Sequence, residues 1–150
     1  MVSHLLSSRV ADMKNFEKKI LIVDNEPELT DLIKFALGTL GGFFVRSEND
    51  PFRTAAAARD FRPDLIIMDI NMPRLDGPSV AMRLQAEPSL AGIPIIFLTG
   101  EITVPELAEQ GHACGGIGIL PKTMPLEFLI AHIRGMLLDH SQDSLGNLAA

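Results

Sequence analysis

Five short apolar runs recur along this chain, at Ile20–Val23, Phe43–Val45, Leu65–Met68, Ile93–Leu98 and Ile117–Leu120. Three of them are rich in Ile and Val. Unbroken apolar runs this short suit strands that are buried on both faces of a sheet. The stretches between them have helical spacing. Leu29, Leu32, Ile33, Ala36, Leu37 and Leu40 repeat at about 3.6 residues, with Pro27 in the first turn and Gly41-Gly42 to end the run. Ala55–Ala58 and its flanks predict a second helix. Val80, Leu84 and their neighbours predict a third, after Gly77-Pro78. Residues 103–112 give a weaker fourth. Leu126, Leu129, Ile130, Ile133, Met136 and Leu137 give a strong fifth. Strict strand–helix alternation predicts an α/β fold, a single doubly wound parallel sheet of five strands with five helices on its two faces.

At 150 residues the chain has the length of one domain. A domain of that size buries about 68–70% of its unfolded surface, so it needs no disulfide or metal staple. Cys114 is the only cysteine, which rules out an intrachain disulfide and fits a reducing compartment. The net charge is −6, and there is no Trp or Tyr, so direct nucleic-acid binding is not expected. The apolar runs are too short to span a bilayer, and Met1–Val10 lacks the pattern of a signal peptide. No membrane association is expected, and the cytoplasm is the expected location. Residues 1–17 read as an N-terminal extension. Leu5, Leu6, Val10, Met13 and Phe16 would line one face if it is helical; otherwise it is a disordered leader. Residues 18–138 read as the domain, and the small polar residues of 139–150 as a C-terminal tail or linker.

In such a sheet, ligands bind outside the carboxyl ends of the strands. The residues just after the apolar runs are therefore the candidates. They are Asp24, Asn25 and Glu26, then Asp69, Ile70 and Asn71, then Thr99 and Gly100, and finally Pro121 and Lys122. This brings carboxylates, a hydroxyl and an ammonium to one rim. A carboxylate can attack phosphorus and form an acyl phosphate. The transferred group then needs cations and donors around its equatorial oxygens.

The segments KKILIVDNEPEL (18–29), PDLIIMDINMPRLDG (63–77), IPIIFLTG (93–100) and LPKTMP (120–125) resemble the receiver domain of two-component response regulators. The resemblance covers roughly residues 18–138. It implies a flavodoxin-like sheet of strand order 2-1-3-4-5. It also implies that Asp69 is the phosphoacceptor, assisted by Thr99 and Lys122. Asp24, Asn25, Asp69 and the backbone carbonyl of Asn71 match the positions that hold Mg²⁺, an ion that takes oxygen ligands and one or two carboxylates. Pro73, Asp76 and Gly77 match the loop that aims the acceptor and starts the third helix. Asn71 and Glu101 match positions that influence loss of the phosphoryl group, which implies a short-lived phosphoryl state.

Three residues depart from the family pattern. Asn25 stands where a second acid is usual, which removes one charge from the metal site and implies weak Mg²⁺ binding unless Glu26 compensates. Thr123 replaces the usual Pro after Lys122. A cis bond there would cost about 2.5–4 kcal/mol, so the loop either stores that strain or takes another path. Ile119 replaces a switching aromatic, and is read either as strand core or as a weakened relay.

The implied function is a phosphorelay receiver that takes a phosphoryl group from a histidine kinase or histidine phosphotransfer protein and signals by conformational change. Docking would use the first helix near Glu26–Ala36. Output would go to a downstream protein target, to a phosphotransfer protein, or through a homodimer. The chain would be no enzyme beyond its own phosphorylation and dephosphorylation. Asn25, Ile119 and Thr123 favour a competing reading, a pseudo-receiver that binds partners without phosphate; Asp69, Thr99 and Lys122 oppose it. A flavodoxin would need a Gly- and hydroxyl-rich loop where Asp24-Asn25-Glu26 stands, and a haloacid-type phosphatase would need Asp at 71. His4, His112, His132 and His140 have no metal-like spacing and read as surface or packing residues, and Cys114 has no paired base near it in sequence.

Overall fold

Ile20, Leu21, Ile22 and Val23 offer no polar side chain to either face, and they form β1 (Lys19–Val23) deep in the sheet. The computed structural model describes residues 18–100 and 118–149, with the side chains of the final helix described to Leu138. The other strands are β2 (Phe44–Glu48), β3 (Leu65–Asp69), β4 (Ile95–Thr99) and β5 (Gly118–Pro121). All pair in parallel, in the order β2-β1-β3-β4-β5. The helices are α1 (Pro27–Thr39), α2 (Thr54–Phe61), α3 (Gly77–Gln85) and α4 (Leu126–Ala149). The helix expected over 103–112 lies outside the described residues. α4 is the fifth helix of the sequence pattern.

Successive strand residues point to opposite faces. Leu21, Val23, Ile66, Met68, Ile95, Phe97 and Ile119 pack with α2 and α3 through Ala57, Ala58, Phe61, Val80 and Leu84. Ile20, Ile22, Leu65, Ile67, Ile96 and Leu98 pack with α1 and α4 through Ile33, Leu37, Leu129, Ile130 and Ile133. Helices on both faces are the reason that these runs carry no polar alternation. Ile119 therefore belongs to the strand core.

Element boundaries move where packing and backbone pairing part company. β2 runs on through Arg46, Ser47 and Glu48, because an edge strand pairs with β1 through its backbone whatever its side chains are. Pro94 holds Ile93 out of β4, and Ile93 packs half-buried against the core instead. α4 continues to Ala149, across the segment that sequence reading assigns to a tail. No proline lies between 126 and 149, and the glycines within it weaken a helix without ending it. No cis peptide occurs among the described residues, so the Lys122–Thr123 bond is trans and the loop follows a path that avoids that strain. No helix among the described residues is long and apolar enough to cross a membrane.

Parallel pairing puts every strand's carboxyl end on one rim. Val23 lies beside Met68, Asp69 beside Leu98, and Thr99 beside Pro121. The loop after β3 is drawn in tightly at Gly77, whose N–H donates to the Ile70 carbonyl at 2.9 Å. A Cβ at 77 would lie 2.4 Å from the Asp69 carbonyl oxygen, a backbone atom with no room to yield. Gly77→Ala is expected to lower stability by about 1–3 kcal/mol through overpacking. Gly92→Ala, whose Cβ would meet nothing within 4 Å, is the matched control with no such loss. Urea unfolding midpoints measure both.

Candidate functional site

Asp24 and Asp69 leave the ends of adjacent strands β1 and β3, and both are buried, at 2% and 3% exposure. Two carboxylates out of water need a counter-charge. Lys122, from the loop after β5, supplies it. Its Nζ lies 3.1 Å from Asp24 Oδ2 and 3.1 Å from Asp69 Oδ2. The second oxygen of each acid takes a backbone donor two residues on. Asp24 Oδ1 accepts the Glu26 N–H at 2.9 Å, and Asp69 Oδ1 accepts the Asn71 N–H at 3.1 Å. Asp24 is thus not the cap of α1: the N-cap is Glu26, whose side chain makes no capping bond.

Thr99, buried at the end of β4, is the neighbour of this trio, and its carbonyl accepts the Lys122 N–H at 2.8 Å. That backbone bond ties the lysine loop to β4. Asn71 is exposed beyond its bonded N–H. Asp76 Oδ1 accepts the Ser79 N–H at 2.8 Å and caps α3, and Gly77 holds the loop against Asp69. Glu101, His112 and Cys114 lie outside the described residues. Asn49, not singled out in the sequence, also touches the site: its Nδ2 donates to the Asp24 carbonyl at 2.8 Å. No short motif marks it, because the two residues lie 25 positions apart.

Burial pushes the Asp69 carboxyl above its ordinary value. The Lys122 hydrogen bond opposes that, the Asp24 charge adds to it, and the Asn71 N–H pulls back. For Lys122, burial works to discharge the ammonium, but its hydrogen bonds and charge interactions with Asp69 and Asp24 outweigh it and raise the value. The two upward shifts are compatible. One ammonium serves two buried acids, so it is doubly held while each acid is only partly neutralised.

The donor set is all oxygen, which suits a hard divalent cation. The described residues contain no group of three or more His, Cys, Asp and Glu placed to hold a metal ion. Two carboxylates converge here, and Asn25 follows Asp24 in the chain. Asn25 Oδ1 is buried and is, among the described residues, a side-chain oxygen left without a hydrogen-bond partner. A buried carbonyl oxygen without a donor is costly, and a cation would satisfy it. The donor chemistry of Asp24, Asp69 and Asn25 therefore suits a hard cation such as Mg²⁺.

The sequence profile of the response regulator receiver domain matches residues 20–134, and the chain belongs to that family. It is similar to the DNA-binding dual master transcriptional regulator RpaA of Synechocystis, 32% identical over 119 residues, covering 79% of this chain and 48% of the relative. It is also similar to the response regulator MprA of Mycobacterium leprae, 33% identical over 119 residues, covering 79% and 50%. The chain thus spans about half the length of the curated relatives it matches. Among solved structures, a response regulator from Desulfuromonas acetoxidans superposes with a TM-score of 0.72 at 28% identity, covering 80% of this chain and 96% of that one. The BeF3-activated N-terminal receiver domain of Klebsiella pneumoniae RstA gives 0.71 at 28% identity, covering 80% and 98%.

A raised acid contributes stability that is complete below its ordinary range and is lost as the pH climbs through its raised value. At neutral pH without metal, ionised Asp69 therefore costs stability. Asp69→Asn is expected to raise the thermal midpoint at neutral pH in chelator, with Lys122 kept in place by Asp24. The gain shrinks as the pH falls into the acid range, where wild-type Asp69 is already protonated. Thermal melts across pH check both the sign and the trend.

Proposed function

We propose that this chain is a phosphorelay receiver that accepts a phosphoryl group on Asp69, with Mg²⁺ required. The single observation that carries the reading is the contact of Lys122 Nζ with the buried Asp69 carboxylate, 3.1 Å away. A solvated surface acid needs no such partner. The pair sets a nucleophile beside a cation that can stay with the transferred group's oxygens.

An Asp69 oxygen attacks phosphorus of a phosphohistidine. A new O–P bond forms, the P–N bond breaks, and its electron pair stays on the imidazole nitrogen. The product is an acyl phosphate. Lys122 moves from neutralising carboxylate to neutralising phosphoryl oxygen. The Thr99 hydroxyl and the Asn71 N–H, which now rests on Asp69 Oδ1, donate to the other oxygens. Mg²⁺ held by Asp24, Asn25, Asp69 and the Asn71 carbonyl would add positive charge at those oxygens. The phosphoryl state is short-lived because Asn71 is exposed and free to orient water. Catalysis by the chain extends to its own phosphorylation and its reversal.

The donor is a histidine kinase or a histidine phosphotransfer protein. A cleft of about 280 Å³ beside Lys122, lined by Leu29, Leu32, Met124 and Leu126, supports docking along α1, where Leu32 and Phe35 are 56% and 70% exposed. Output passes to a downstream protein or a second copy, in the cytoplasm. DNA binding is named for the relative from Synechocystis; the net charge of −6 argues against direct DNA contact by this chain.

Acetyl phosphate with Mg²⁺ is expected to add the mass of one phosphoryl group to the wild type and none to Asp69→Asn, read by intact-mass spectrometry. No gain in the wild type would leave a protein-interaction module instead. Asn25→Asp is expected to tighten Mg²⁺ about 10-fold or more by restoring a ligand charge. Equal affinity in a calorimetric titration would show that residue 25 does not touch the ion.

A further inference from the structure

We propose that Asn49 is a positioning residue for the acidic pocket: its carboxamide clamps the β1–α1 loop and so sets how tightly the pocket takes Mg²⁺. The inference rests on the phosphoryl-transfer reading above. Asn49 directly follows the last residue of β2. Its Nδ2 donates twice, to the Asp24 carbonyl at 2.8 Å and to Thr30 Oγ1 at 3.1 Å. A primary amide has two N–H groups, and both are used.

Each acceptor is itself fixed. Thr30 is fully buried, and its hydroxyl proton goes to the Pro27 carbonyl at 2.9 Å. It can therefore only accept from Asn49. The Asp24 N–H donates to the Glu48 carbonyl at 3.2 Å. Asp24 is thus held through its N–H by Glu48 and through its C=O by Asn49. The same amide reaches the first turn of α1, so Asp24, Asn25 and Glu26 are strung between two anchored points. Asn25, with its unpartnered buried oxygen, lies inside that span.

This matters for a small cation. Mg²⁺ demands near-ideal octahedral geometry, so its affinity depends on how well the oxygens are held before it arrives. Residues behind metal ligands typically change affinity by about 10–100-fold when lost. Asn49 is well placed for that role, since it grips the backbone of a ligand-bearing loop. A purely structural role would cost stability and leave affinity alone.

The test is calorimetric titration of MgCl₂ into the chelator-stripped 150-residue chain, at a temperature where every variant is folded. Asn49→Ala is expected to raise the dissociation constant about 10-fold. Arg134→Ala is the control, removing a hydrogen bond of 3.2 Å to the Gly41 carbonyl beyond the far end of α1; it is expected to leave Mg²⁺ affinity unchanged. With acetyl phosphate, Asn49→Ala should need more Mg²⁺ for half-maximal rate and approach the wild-type maximum at saturation. If Asn49→Ala does not fold, Thr30→Val removes one end of the clamp and is expected to weaken Mg²⁺ in the same direction. Wild type and variant binding Mg²⁺ equally, or Arg134→Ala weakening it as much, overturns the inference. Failure of the wild type itself to bind Mg²⁺ overturns the phosphoryl-transfer reading, and the inference with it.

Discussion

One ammonium between two buried carboxylates is the interaction on which the rest of this structure depends. Asp69 ends β3, Asp24 and Lys122 lie in the loops after β1 and β5, and neither buried acid could stay ionised there alone. With both acids ionised the trio keeps one negative charge. The fold serves this arrangement in a direct way. Parallel strands deliver all three side chains to one rim, and Gly77 lets the backbone after β3 close over Asp69.

The parts legible in the sequence were those governed by local pattern. Runs such as Leu65–Met68 could not be half-exposed, so the sheet had to be covered on both faces, and it is. Asp24, Asp69, Thr99 and Lys122 were readable because each follows its apolar run. Chain order and strand direction then bring them together without any knowledge of contacts. The alternation also placed α1, α2, α3 and the start of α4.

What was not legible depends on contacts between distant residues. β2 extends over Arg46, Ser47 and Glu48 because β1 lies beside it, which no periodicity in that segment reveals. Asn49 reads as an ordinary loop residue until Asp24 and Thr30 are seen against its amide. Ile119 had two readings in the sequence, and its burial beside Phe97 decides for the core. The run of α4 to Ala149 was hidden by composition, since small polar residues suggest a tail although nothing there forbids a helix.

Every residue of β3 and β4 is buried. Close-packed interiors are stiff and barely compressible, so these two strands act as a keel. A disturbance at Asp69 cannot bend them by much. The charged side chains sit where the strands stop, and there the Lys122 N–H bond to the Thr99 carbonyl links the last loop to β4. The charge at the rim is therefore carried on a stiff base, with the loops that bear it joined to one another above the strands.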